Sequence, residues 1–134
     1  MMKKQLVKYT RTIITSDGED SQSYTMFLNY FDSFKNDFTL TGVDENKKTF
    51  DILVQIGHDD EVILKAMSEE TDSTFYLRKN FTTDCQIKTK LGHKIMVKAI
   101  TQSFNTKDYL LDIIFTLYDN DKPMDKYHLR IEQL

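Results

Sequence analysis

A chain of 134 residues, 40% hydrophobic and 12% aromatic, is the size of one domain and holds enough apolar side chains for one core. Charged residues make up 29% and are interspersed with apolar ones, which excludes a disordered chain, and the net charge of −3 argues against a dedicated nucleic-acid binder. The single cysteine, Cys85, excludes an internal disulfide.

The first twelve residues, MMKKQLVKYTRT, begin with positive charge but lack an apolar region after it. The longest apolar run, YLLDIIFTLY, is interrupted by Asp112 and Thr116. Neither is a leader or a membrane span, so a soluble cytoplasmic protein is expected.

The dominant period along the chain is two. Residues 5–16 are rich in β-branched side chains and end at Asp17 and Gly18, a turn signal. Residues 23–34 fit two patterns. Tyr24, Met26, Leu28 and Tyr30 make a strand face, whereas Tyr24, Phe27, Leu28, Phe31 and Phe34 make a helix face. The propensity of Thr25 and the aromatic residues favours the strand. In 49–57, Phe50, Ile52, Val54 and Ile56 alternate with Asp51, Leu53 and Gln55, and His58, Asp59 and Asp60 break the pattern. A strand over 61–67, a polar loop over 68–72, and a strand carrying Phe75 and Leu77 follow. Then come a hairpin around Gly92, a strand over 109–118, a turn over 119–123, and a last strand with Tyr127, Leu129 and Ile131 on one face. Short strands joined by short polar turns describe an antiparallel meander, and closure removes its exposed edges. The expectation is an all-β chain: a single antiparallel up-and-down barrel of about eight to ten strands, one domain over residues 1–134.

The stretch QIKTKLGHKIMVKA, 86–99, concentrates four lysines. Register decides which side chains share a face. With a two-residue loop Lys90 would lie beside Ile95 and both faces would be mixed. With the three-residue loop Leu91, Gly92 and His93, Lys90 pairs with Lys94, Lys88 with Met96 and Gln86 with Lys98. Cys85, Ile87, Thr89, Ile95, Val97 and Ala99 then share the other face. An odd-length loop, or a bulge with the same effect, is expected. An odd loop after Phe104 adds Leu111, Ile113, Phe115 and Leu117 to the apolar face. It makes Lys98 and Asp112 diagonal neighbours on the opposite one. Met96, Ile100 and Ile114 add apolar area there, which another segment or a homodimer partner would cover.

Lys88, Lys90, Lys94 and Lys98 on one face suit an anion or RNA backbone. No aromatic residue is interleaved with them, as stacking on single strands requires, and a solvated sheet face is the favoured reading. Arg78, beside Tyr76, is the candidate for a single cation inside the barrel facing an anionic ligand; an outward arginine is the commoner arrangement. His58, Asp59 and Asp60 are adjacent in a turn and cannot converge on one ion, and no second His or Cys stands at ligand spacing, so no metal site is expected. His93 and His128 are isolated. Cys85 falls on the apolar face as an inert thiol. No nucleophile–base pair and no phosphate loop is visible, so neither an enzyme nor a cofactor is expected.

Three features taken in order carry a resemblance. A first strand leads into Asp17, Gly18 and Glu19. The segment GHKIMVKAITQSF opens on Gly92. The chain ends in a long apolar strand, a polar turn and a final strand, YLLDIIFTLYDNDKPMDKYHLRI. In these the chain resembles the YwiB-like family of small uncharacterised bacterial proteins, which implies a lipocalin-like (calycin-type) antiparallel barrel and a strand for 23–34. It departs from the family at Lys90, where a proline is typical. It also departs at Met67, Ser68 and Glu69, in place of an arginine–glycine pair, and by one extra residue after Gly92. Fatty-acid-binding proteins are similar in length, but their Arg-x-Tyr near the end is absent from YHLRIEQL.

The functional expectation is a non-enzymatic barrel taking a small apolar or amphipathic ligand at its interior or mouth. The alternative is a protein- or RNA-interaction module using the lysine-bearing outer face.

Overall fold

The computed structural model describes residues 5–31 and 34–134. Its strands are β1 (Gln5–Thr15), β2 (Gly18–Phe31), β3 (Phe34–Val43), β4 (Thr49–Ile56), β5 (Glu61–Met67), β6 (Thr71–Arg78), β7 (Thr82–Thr89), β8 (Lys94–Asn105), β9 (Leu111–Asp119) and β10 (Lys122–Gln133). Each pairs antiparallel with the next, and β10 pairs with β1 to close the ring. The chain is therefore a closed ten-stranded up-and-down barrel with no free sheet edge. Among the described residues no helix is long and apolar enough to cross a membrane.

Alternation decides what faces inward. On β1 the odd positions Val7 and Tyr9 are buried; on β2 Met26 and Leu28 are, as the strand pattern requires. Asp32 and Ser33, near the end of the strand expected over 23–34, lie outside the described residues. On β4 and β5 the interior takes Ile52, Val54, Val62 and Leu64, and on β9 it takes Leu111, Ile113, Phe115 and Leu117. Large side chains fill the barrel: Phe38, Phe115, Met26, Leu28 and Leu40 are all almost wholly buried. Each contributes about 1.5–3 kcal/mol of burial free energy. Phe115 stacks on Tyr127 at 5.4 Å and meets Phe75 at 5.8 Å, so this part of the interior is packed protein.

β3 is not expected from the sequence. Among its residues with described side chains, Phe38 and Leu40 mark the inward face, and Gly42 follows where a further apolar residue would stand. The glycine has a packing reason. A Cβ at Gly42 would lie 2.9 Å from Cγ of Met26, so the inward Met26 side chain occupies that space.

The lysine hairpin has the expected parity in a different register. Lys88 lies opposite Lys94, Gln86 opposite Met96 and Asp84 opposite Lys98, two residues from the expected pairing. The three-residue loop is Lys90, Leu91 and Gly92. The Thr89 N–H donates to the His93 carbonyl at 2.8 Å, and the Gly92 N–H donates to the Thr89 carbonyl at 3.0 Å. Gly92, at φ +91, supplies the positive φ that ends such a loop. A shift of two leaves every side chain on its face, so Cys85, Val97 and Ala99 are buried as expected. Ile95 also faces inward, but it stands near the strand's start and is 51% exposed.

The expected Lys98–Asp112 neighbourhood does not form. Lys98 lies opposite Tyr118, and a bulge between Thr101 and Ser103 shifts the rest of β8, so that Asp112 lies opposite Asn105.

Candidate functional site

The turns joining β1 to β2, β3 to β4, β5 to β6, β7 to β8 and β9 to β10 all lie at one end of the barrel, because the meander alternates direction. At that end the packed interior gives way to a recess of about 250 Å³. Tyr9, Arg11, Tyr24, Phe50, Ile52 and Glu45 carry most of its chemistry.

The recess is built from the inward parity of β1 and β2. Tyr9 faces Tyr24 across the two strands, and Arg11 faces Gln22. The two tyrosine rings stack with centroids 6.1 Å apart, and Phe50 meets Tyr24 edge-on at 5.2 Å. Arg11 Nη2 donates to Gln22 Oε1 at 2.6 Å. The Tyr24 hydroxyl lies 2.8 Å from the same oxygen and 3.2 Å from Glu45 Oε2, and its one proton can serve only one of them at a time. Glu45 is held at the lip by its turn. Asp44 Oδ1 accepts from the N–H groups of Asn46 at 2.8 Å and Lys48 at 3.0 Å. Ser68 is engaged in closing the β5–β6 turn, where its Oγ accepts from the Thr71 N–H at 3.2 Å.

Burial sets the ionisation of the aromatic wall. It pushes the Tyr9 phenol up to about 12, against the opposing pull of Arg11. Tyr24 is raised for the same first cause. Both present neutral O–H groups at physiological pH.

Tyr76 and Arg78 are not in the interior. Phe75 and Leu77 take the inward positions of β6, opposite Leu64 and Val62, which turns Tyr76 and Arg78 to the outer face. Arg78 lies over the Phe81 ring at 4.1 Å, and its Nη2 is 4.0 Å from Asp59. The inward cation is Arg11. The sequence carried a signal for it, since Val7, Tyr9 and Ile13 make the odd positions of β1 the more apolar set and Arg11 shares that parity.

Two of the four hairpin lysines have carboxylate partners. Lys90 lies 3.3 Å from Asp72, and Lys98 lies 3.0 Å from Asp84. Lys88 and Lys94 face each other with no carboxylate within ion-pair distance among the described residues. Elsewhere on the outside, Asp112 is nearly buried between two partners. His128 Nε2 approaches its Oδ1 at 2.6 Å, and Arg130 reaches its Oδ2 through Nη2 at 2.8 Å. Arg130 also lies over the Tyr109 ring at 4.2 Å. Cys85 is 1% exposed, and burial pushes its thiol up to about 11. Among the described residues no three His, Cys, Asp or Glu side chains gather as a metal ion would need.

The solved structure of the YwiB protein from Bacillus subtilis matches this fold with a TM-score of 0.61, over 100% of this chain and 95% of that one. This chain has a YwiB-like fold. The two sequences are 12% identical, so the likeness is one of architecture alone. No family model and no curated protein matches the sequence.

Proposed function

We propose that this protein is a cytoplasmic, non-enzymatic binding protein that takes one small amphipathic molecule in the recess at the turn-bearing end of the barrel. The observation that carries the reading is the composition of that recess. Aromatic and aliphatic walls from Tyr9, Tyr24, Phe50 and Ile52 stand beside a guanidinium, Arg11, with the carboxylates of Asp44 and Glu45 and the hydroxyls of Ser68 and Thr71 also in the lining. A concavity that joins apolar walls to placed polar groups is a usual form of a small-molecule site, and the even mix here suits an amphipathic ligand. The packed residues below it, Phe38, Leu40 and Phe115 among them, confine a ligand to the mouth. At about 250 Å³ the recess is smaller than common ligand pockets, which suits one ring or a short chain. The YwiB-like fold supports reading the chain as a distant relative of that family, with a calycin-like barrel.

A thermal-shift screen with short fatty acids, aromatic acids, nucleotides and neutral metabolites tests the proposal. A ligand present at a hundredfold its Kd adds about 2.7 kcal/mol and raises Tm by several degrees. The expected result is stabilisation by small amphipathic compounds and none by nucleotides. No shift with any compound would contradict the proposal.

A further inference from the structure

We infer that the occupant of the recess carries a single carboxylate, bound by Arg11 and the Tyr9 hydroxyl, with its apolar body lying along Tyr24 and Phe50. This rests on the reading of the recess as a ligand site and specifies what enters it.

Arg11 is the only Lys or Arg at an inward position in the body of the barrel among the described residues. Its one hydrogen-bond partner among them is an amide oxygen, Gln22 Oε1, and no carboxylate stands within 4.0 Å. The cation–carboxylate contacts of lysines and arginines, at Lys48, Arg78, Lys90, Lys98 and Arg130, are all at turns or on the outer face. A guanidinium has five N–H donors and keeps its charge at any relevant pH, so most of its hydrogen-bonding capacity points at no protein group. Glu45 reaches Arg11 only through the Tyr24 hydroxyl and Gln22, so a partly buried cation with no carboxylate in direct contact is lowered in free energy by an anion entering beside it.

Tyr9 adds a second donor. The residue is 6% exposed and lines the recess, and its hydroxyl has no protein partner among the described residues. Burial keeps that hydroxyl protonated, so it donates.

The lip limits the ligand's charge. Asp44 and Glu45 stand at the mouth, and Glu45 is within 3.2 Å of the Tyr24 hydroxyl. A second carboxylate on the ligand would approach these two, and like charges at that range repel. A monocarboxylate is therefore favoured over its neutral analogue by Arg11 and over a dicarboxylate by the lip.

The test is calorimetric titration of the full chain with phenylacetate and hexanoate, each against its primary amide, and with phenylmalonate. Carbon-resolved NMR of the tyrosine and phenylalanine rings is followed in parallel. At least one acid should bind ten times more tightly than its amide, and phenylmalonate should bind more weakly than phenylacetate. Arg11→Met should weaken the acid at least tenfold more than the amide, which erases the difference between them. Arg11→Lys should restore part of the difference, and Glu45→Gln should improve phenylmalonate selectively. Acid and amide of equal affinity, both shifting the ring signals, would overturn the carboxylate inference while the recess stood as a ligand site. No ring shift with any of the five compounds at millimolar concentration would overturn both.

Discussion

Arg11 and Gln22 face each other across β1 and β2, and the guanidinium Nη2 donates to the amide oxygen at 2.6 Å. The partner is neutral, so the charge of Arg11 is oriented without being cancelled. Replacing that amide by a carboxylate supplies the missing counter-charge from within the protein. Gln22→Glu should leave the fold intact and raise stability by up to about 1 kcal/mol, as a part-exposed ion pair does. It should also weaken any anionic ligand by tenfold or more. Urea denaturation reads the first effect and ligand titration the second.

Asp112 joins two side chains of β10 to β9, one on each carboxylate oxygen. Asp112→Ala leaves His128 and Arg130 without their shared acceptor. The expected loss is about 1.5–3 kcal/mol, the range for hydrogen bonds to charged groups. Because the cluster lies outside the barrel, ligand affinity should be unchanged.

Stability should fall in alkali. The Tyr9 phenol ionises near 10.0 in the unfolded chain and at about 12 in the folded one. Below pH 10 it is neutral in both states and the full stability is present. Between pH 10 and 12 only the unfolded chain releases the proton, so stability is lost across that window, by roughly 2–3 kcal/mol at its end. Cys85 acts with the same sign over the lower window from 9.0 to about 11. Tyr9→Phe should flatten the upper part of the profile, as followed by urea melts at stepped pH. The same burial should keep Cys85 unreactive toward a thiol reagent at pH 8 until the protein is unfolded.

Gly92 should tolerate a side chain poorly, although nothing lies within 4 Å of a Cβ built there. The cost is conformational. At φ +91 an L-residue is strained, and Gly92→Ala should lose about 1–2 kcal/mol. Thermal denaturation measures it.

The lysine hairpin should be a weak anion site. Lys90 and Lys98 already have carboxylate neighbours, which leaves Lys88 and Lys94. Two phosphate contacts to single-stranded RNA give a log–log salt slope no steeper than about −1.4. Filter binding at stepped salt should return that slope or a shallower one, and Lys88→Glu with Lys94→Glu should abolish it.

Most of the barrel is legible because period two governs almost every strand. One parity choice per hairpin sorts lysines from Ile87, Val97 and Phe115. Parity survives an error of two residues, which is why the hairpin faces are right although Lys88, not Lys90, opposes Lys94. What parity does not carry is pairing across bulges. The shift between Thr101 and Ser103 moves Asp112 away from Lys98, and nothing in the local pattern announces it. β3 escapes because Gly42 stands where a third apolar side chain would have completed the alternation. Arg78 beside Tyr76 is the more conspicuous interior cation in the sequence, but its strand gives its inward positions to Phe75 and Leu77. The parity of Val7 and Tyr9 on β1 puts Arg11 inside. The aromatic surroundings of Arg11 depend on the pairing of Tyr9 with Tyr24 and on Phe50, which stands two strands from Tyr24 and meets it only where the sheet curves.

The central claim is that the mouth of the barrel, and not its outer wall, is the binding surface. A crystal structure of the protein grown with phenylacetate or hexanoate tests it most directly. Density is expected for one molecule bounded by Tyr9, Arg11, Tyr24 and Phe50, with its carboxylate on Arg11. An empty mouth, with the ligand held instead on the outer face at Lys88 and Lys94 or at Arg130, would contradict it.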